Sequence, residues 1–88
     1  MIARNWTIRG GELDVVARRD NLVVVCEVKA RADARFGLPA EALGAVKQQR
    51  VRRTGFEYVR SLGEHGLRVR FDLACVLGTQ LEVWEDAF

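Results

Sequence analysis

Three residues, Asp14, Glu27 and Lys29, have the types and spacing to do chemistry together. Residues 12–17 alternate as Glu-Leu-Asp-Val-Val-Ala, and residues 22–28 are mostly β-branched and apolar. Between them lies Arg-Arg-Asp-Asn, a turn composition, so the two runs read as a hairpin. With Asp20-Asn21 as a two-residue loop, Leu13 faces Val28, Val15 faces Cys26 and Ala17 faces Val24, giving one apolar face. On the other face Asp14 lies opposite Glu27, and Glu12 opposite Lys29. Directly opposed like charges destabilise a sheet, so this register requires a compensating cation or full solvation. A divalent metal supplies the cation: Mg²⁺ takes one or two carboxylates plus water and phosphate oxygens. Glu27 and Lys29, two apart, project from the same face of one strand. Such a cluster suits phosphodiester hydrolysis. Two carboxylates hold Mg²⁺ or Mn²⁺, the metal acidifies a bound water, and a lysine positions or deprotonates that water and steadies the transition state. The competing reading is a solvated hairpin face with an ordinary Glu12–Lys29 ion pair. A one-residue change of loop length would separate the two carboxylates.

These residues need a helix and further strands to position them. From about Gly44 to Leu62 the pattern is helical, with Gly63 as its stop. Val51, Gly55, Tyr58 and Leu62 form a core-facing stripe with Val59 beside it, and Gly55 lets the helix approach a sheet closely. Extended backwards, the stripe reaches Gln48, with Lys47 next to it, at the end where the carboxylates could lie. Arg50, Arg53 and Arg60 line an adjoining outward row with Arg52 close by, suited either to phosphate binding or to plain solvation. Residues 31–39 read as a loop, residues 68–77 as a strand, 78–80 as a turn and 81–84 as a last strand. The order β-β-α-β-β indicates an α/β domain on a mixed or antiparallel sheet.

Composition narrows the classes. The chain has 88 residues, 49% hydrophobic and 30% charged, the balance of one globular domain. The longest apolar runs, 22–26 and 73–77, are far short of the ~20 residues of a membrane span. The N-terminal residues carry no signal-peptide core, so a cytoplasmic protein is expected. Cys26 and Cys75 sit inside apolar runs and read as buried free thiols. With His65 as the only histidine, the usual zinc clusters are excluded; His65 itself lies in a turn and reads as a surface residue. The net charge of +2 is uneven: +1 over residues 1–29, +4 over 30–63 and −3 over 64–88. Twelve of the fourteen bases are Arg, which suits bidentate phosphate contacts but also follows from a GC-rich coding bias. Trp6 and Trp84 could stack bases or pack in the sheet. Asp72 could support the metal site or pair locally with Arg70 or Arg68.

The stretches 11–17 (Gly-Glu-Leu-Asp-Val-Val-Ala), 25–31 (Val-Cys-Glu-Val-Lys-Ala-Arg) and 36–42 (Phe-Gly-Leu-Pro-Ala-Glu-Ala) resemble the UPF0102 family, also called YraN. Residues 47–53 (Lys-Gln-Gln-Arg-Val-Arg-Arg), 70–73 (Arg-Phe-Asp-Leu) and 84–88 (Trp-Glu-Asp-Ala-Phe) continue the match over essentially the whole chain. That family is similar to archaeal Holliday junction resolvases and belongs with the PD-(D/E)XK, restriction-endonuclease-like superfamily, some of whose members bind without cutting. The resemblance implies a restriction-endonuclease-like core, a central mixed β-sheet flanked by helix, as a single domain over residues 1–88. It places Asp14 at the metal-binding Asp of the second core strand. Glu27 and Lys29 match the E-x-K of the third strand, and Lys47 and Gln48 the polar start of the next helix. Leu13 stands where the superfamily's name has a proline. The function implied is metal-dependent cleavage of DNA, branched or single-stranded, with Mg²⁺ or Mn²⁺ on Asp14 and Glu27. The alternative is a non-catalytic nucleic-acid-binding module. Candidate nucleic-acid contacts are Lys47, Arg50, Arg52, Arg53 and Arg31, with DNA expected rather than RNA and no membrane. Family members usually begin with a helix before the first strand, and this chain is expected to start within that strand, at residues 3–6. Since residues 22–26 and 73–77 are apolar on consecutive positions, both sheet faces want cover. One helix shields one face, so a homodimer burying the other is expected.

Overall fold

The computed structural model describes the backbone of residues 3–8 and the whole of residues 11–30 and 43–88. Among these, five strands and one helix follow in the order β1 (Ala3–Ile8), β2 (Gly11–Arg19), β3 (Leu22–Ala30), α1 (Ala45–Ser61), β4 (Arg68–Leu77) and β5 (Gln80–Trp84). The sheet keeps chain order, β1-β2-β3-β4-β5. β3 and β4 run parallel, and every other neighbouring pair is antiparallel. A parallel neighbour requires a crossover, and α1 lies within it. This is the mixed α/β sheet expected from the sequence, and its layout is compatible with a restriction-endonuclease-like core. The loop read at residues 31–39 lies outside the described residues. No helix among the described residues is long and apolar enough to cross a membrane.

The β2–β3 hairpin has the expected register near its turn, with Val15 opposite Cys26, Val16 opposite Val25 and Ala17 opposite Val24, but the pairing ends there. The expected pairs Leu13–Val28, Asp14–Glu27 and Glu12–Lys29 are not formed, and Leu13 joins the core with Val16 and Val25. Asp20 turns the chain with φ 53°, a left-handed conformation that Asp tolerates better than most residues. α1 is capped by Gly44 and ends at Leu62, and Gly63 breaks it with φ 66°. Its buried stripe is Val51, Thr54, Gly55 and Tyr58, with Val59 and Leu62 packed alongside. These meet Leu13, Val16, Val23, Val25 and Phe71, and each fully buried Val, Leu or Phe contributes roughly 1.5–3 kcal/mol. Gly55 is required by the close approach: a Cβ there would stand 2.7 Å from the Phe71 ring. Gly11 fulfils the same need at the start of β2, where a Cβ would collide with Thr54. Thr54 is itself fully buried and returns its Oγ1 to the Arg50 carbonyl at 2.9 Å.

One expectation about the hairpin is reversed in emphasis. The apolar face of Val24, Cys26 and Val28 is the more open one, with Val28 47% exposed. The face under the helix carries Val23, Val25 and Glu27, all buried. The cause is β3's central position: it is apolar on both faces, and α1 covers the side that also bears the carboxylates. The opposite face presents a rung of Val28, Ala74 and Val83 across three strands, with Val83 52% exposed.

Candidate metal and phosphate site

Leu13 and Val16 are three residues apart yet join the same core cluster. A strictly alternating strand would put them on opposite faces; Asp14 lies between them in β2. Its Oδ2 accepts the Val28 N–H at 3.0 Å, tying β2 to β3 beyond the last paired residues, Val15 and Cys26. Glu27 lies beside it on β3, 3% exposed, in register with fully buried Leu73. Asp14, Glu27, Val28, Lys29, Leu43, Gly44, Lys47 and Leu73 line a pocket of about 280 Å³. The expected triad of Asp14, Glu27 and Lys29 therefore does share one pocket, at the N-terminal end of α1.

The electrostatics of this pocket centre on Glu27. Among the described residues its buried Oε1 has no hydrogen-bond donor. Lys47 stands beside it, with Nζ 4.0 Å from Oε2. Burial first, and then the adjacent Asp14 carboxylate, push the Glu27 carboxyl up from 4.5 to about 8, with Lys47 pulling weakly the other way. A protonated Glu27 can share its proton with Asp14; ionised, its Oε1 has no donor among the described residues. The first turn of α1 adds no acidic residue, and Gly44 offers no side-chain cap, so the positive end of the helix dipole opens toward this pocket.

Two carboxylates, one with an orphaned oxygen, fit a hard divalent cation that completes its shell with water and phosphate oxygens. Among the described residues no third His, Cys, Asp or Glu joins them.

The other candidate residues are distributed as follows. Gln48 is half-buried and uses its Nε2–H to reach the Leu43 carbonyl at 2.6 Å. It thereby fixes the entry into α1, and Lys47 is the residue that lines the pocket. Lys47 also lines an adjoining groove of about 570 Å³ with Gly11, Glu12, Arg50, Val51 and Arg53. Arg52 is committed elsewhere: its guanidinium lies 4.9 Å from the Phe71 ring centre and donates to the Phe88 carbonyl at 2.8 Å. Arg60 pairs with Glu57 at 3.1 Å. Arg31 lies outside the described residues. His65 is exposed, and Trp84 packs against Leu73 and Cys75. Asp72 is bound by Arg70, not Arg68, through two contacts of 2.9 Å. The sequence reading passed over Glu12 as a groove residue and Gly44 as a pocket residue. The signal for Glu12 was its place two residues before Asp14; Gly44 carries no chemistry to signal.

The fold and pocket thus define a mixed α/β domain with a paired-carboxylate pocket at the start of its crossover helix. Residues 1–76 match Uncharacterised protein family UPF0102, and the chain belongs to that family. It is 39% identical over 93 residues to a UPF0102 protein of Rhodococcus jostii (strain RHA1), covering all of this chain and 79% of that protein. A UPF0102 protein of Myxococcus xanthus (strain DK1622) is 44% identical over 75 residues, covering 85% of this chain and 60% of its own length. One from Idiomarina loihiensis is 37% identical over 92 residues, covering 100% and 79%.

Proposed function

We propose that this domain is a divalent-metal-dependent nuclease that hydrolyses DNA phosphodiester bonds. The observation that carries this reading is Glu27: a buried carboxylate with an orphaned oxygen, held against Asp14 and facing a pocket rimmed by Lys29 and Lys47. Asp14 and Glu27 would hold Mg²⁺ or Mn²⁺. The bound ion would polarise the phosphate and lower the pKa of a water molecule. Lys29, on the same strand face as Glu27, would orient or deprotonate that water. Lys47, which lines the same pocket, would meet the phosphate, and Gln48 anchors the helix entry beside it. The test is incubation with Mn²⁺ and junction, duplex or single-stranded DNA, beside Asp14→Ala and Lys29→Ala. At least one substrate should be cut, and both substitutions should abolish cutting. Cutting that survives both, or no cutting even by a full-length relative, overturns the catalytic reading.

One observation favours the second reading, a nucleic-acid-binding module without catalysis. Asp14 already accepts a backbone N–H, and a protonated Glu27 can satisfy itself against Asp14. In that case affinity for DNA is indifferent to EDTA and falls steeply with salt.

A further inference from the structure

The groove beside the carboxylate pocket selects among the basic residues of α1. Five cationic side chains lie on this helix: Lys47, Arg50, Arg52, Arg53 and Arg60. Lys47, Arg50 and Arg53, at successive intervals of three, line the groove together. Arg52 is held over Phe71 and by the Phe88 carbonyl, and Arg60 is held by Glu57. The far wall of the groove is the start of β2, where Gly11 presses against Thr54 and Glu12 is exposed. Lys47 belongs to both cavities, so a strand passing it can place one phosphate in the carboxylate pocket and the next along Arg50 and Arg53.

Building on the nuclease reading above, we propose that Lys47, Arg50 and Arg53 form a subsite for the backbone phosphate that flanks the one at Asp14 and Glu27. Glu12 is its opposing wall, a fixed negative charge that limits how tightly the strand is held. The ligand is therefore a polynucleotide strand. An isolated nucleotide or a lone phosphodiester fills only one of the two cavities. Arg52 and Arg60 line neither cavity and lie outside this subsite.

Salt-dependent binding separates these roles. Fluorescence anisotropy of the full chain with a labelled oligothymidylate is measured in EDTA, between about 50 and 200 mM salt. Lys47→Ala, Arg50→Ala and Arg53→Ala should each flatten the salt slope by about 0.7, the single-strand value per phosphate contact. Arg52→Ala and Arg60→Ala should leave the slope unchanged. Glu12→Gln should tighten binding about 2–5-fold, the scale of one exposed charge pair. Of the three groove residues, only Lys47 should also alter the shift in melting temperature produced by Mn²⁺, because only it faces Glu27. If Arg52→Ala or Arg60→Ala flattens the slope as much as Arg50→Ala does, the helix acts diffusely and the subsite is refuted. Unchanged slopes in all three groove variants refute it too. Failure of the unaltered protein to bind the oligonucleotide at all removes the nucleic-acid reading itself, so the two failures are distinguishable.

Discussion

Glu27 and Asp72 are both acidic, both 3% exposed, and one register step apart on the two parallel central strands. They point to opposite faces. Asp72 is fully engaged: Arg70 grips both its oxygens at 2.9 Å, and the Asp86 N–H donates to Oδ1 at 2.9 Å. Arg70 also reaches Glu85 at 2.9 Å, so one guanidinium ties β4 to the segment after β5. Glu27 has the Asp14 carboxylate beside it, Lys47 at 4.0 Å, and one oxygen with no donor among the described residues. The difference separates a carboxylate that holds structure from one that is kept available. Burying a charge is costly unless it is paired; Asp72 is paired within the fold, whereas burial and the neighbouring Asp14 push the Glu27 carboxyl toward its neutral form.

The comparison is broken most severely at Asp72. Asp72→Ala removes the anchor of Arg70 and leaves the Asp86 N–H without its acceptor, so it should cost about 2–4 kcal/mol in urea unfolding. A cost under ~0.5 kcal/mol would mean that the Arg70–Glu85 contact suffices alone.

Glu27→Gln should act in the opposite direction in metal-free protein. The Glu27 carboxyl titrates near 8 when folded, against an ordinary 4.5, so the native state holds the proton more tightly than the unfolded chain. That contribution is complete below about pH 4.5 and is lost as the pH rises through about 8. Above that pH the glutamine variant should be more stable than the unaltered protein by roughly 1–3 kcal/mol, the cost of an unsatisfied buried group, and near pH 4 the two should melt alike. Equal stability throughout would show Glu27 to be as well paired as Asp72. The smallest effect is expected at Arg52→Ala. Loss of its stacking on Phe71 should cost about 0.5–1 kcal/mol.

Much of the fold was legible in the sequence because its signals are local. The Asp20-Asn21 turn fixes the hairpin register, and the stripe Val51, Gly55, Tyr58 fixes the helix face. The strand read at residues 68–77 is β4 as observed. β1 was expected only from the family resemblance, at residues 3–6, and its pairing to β2 is seen only in the structure, since residues 3–8 show no clean alternation. Which face of β3 is covered was not legible, because Val23, Val24 and Val25 are apolar in succession and periodicity then carries no direction. Register suggested that Asp14 and Glu27 lie near each other; the strand pairing stops at Val15 and Cys26, and the two carboxylates meet by lining one pocket instead. The separation of Arg52 from Arg50 and Arg53 was hidden, because it depends on Phe71 and Phe88, far along the chain.

On the proposed function, Glu27, unlike Asp72, would be completed by a divalent cation shared with Asp14. Calorimetric titration of the protein with Mn²⁺ is decisive when run beside Asp14→Asn and Glu27→Gln. One cation should bind per chain, and binding should be lost in each variant. Binding that persists in both variants, or no binding by the unaltered protein, would contradict that reading.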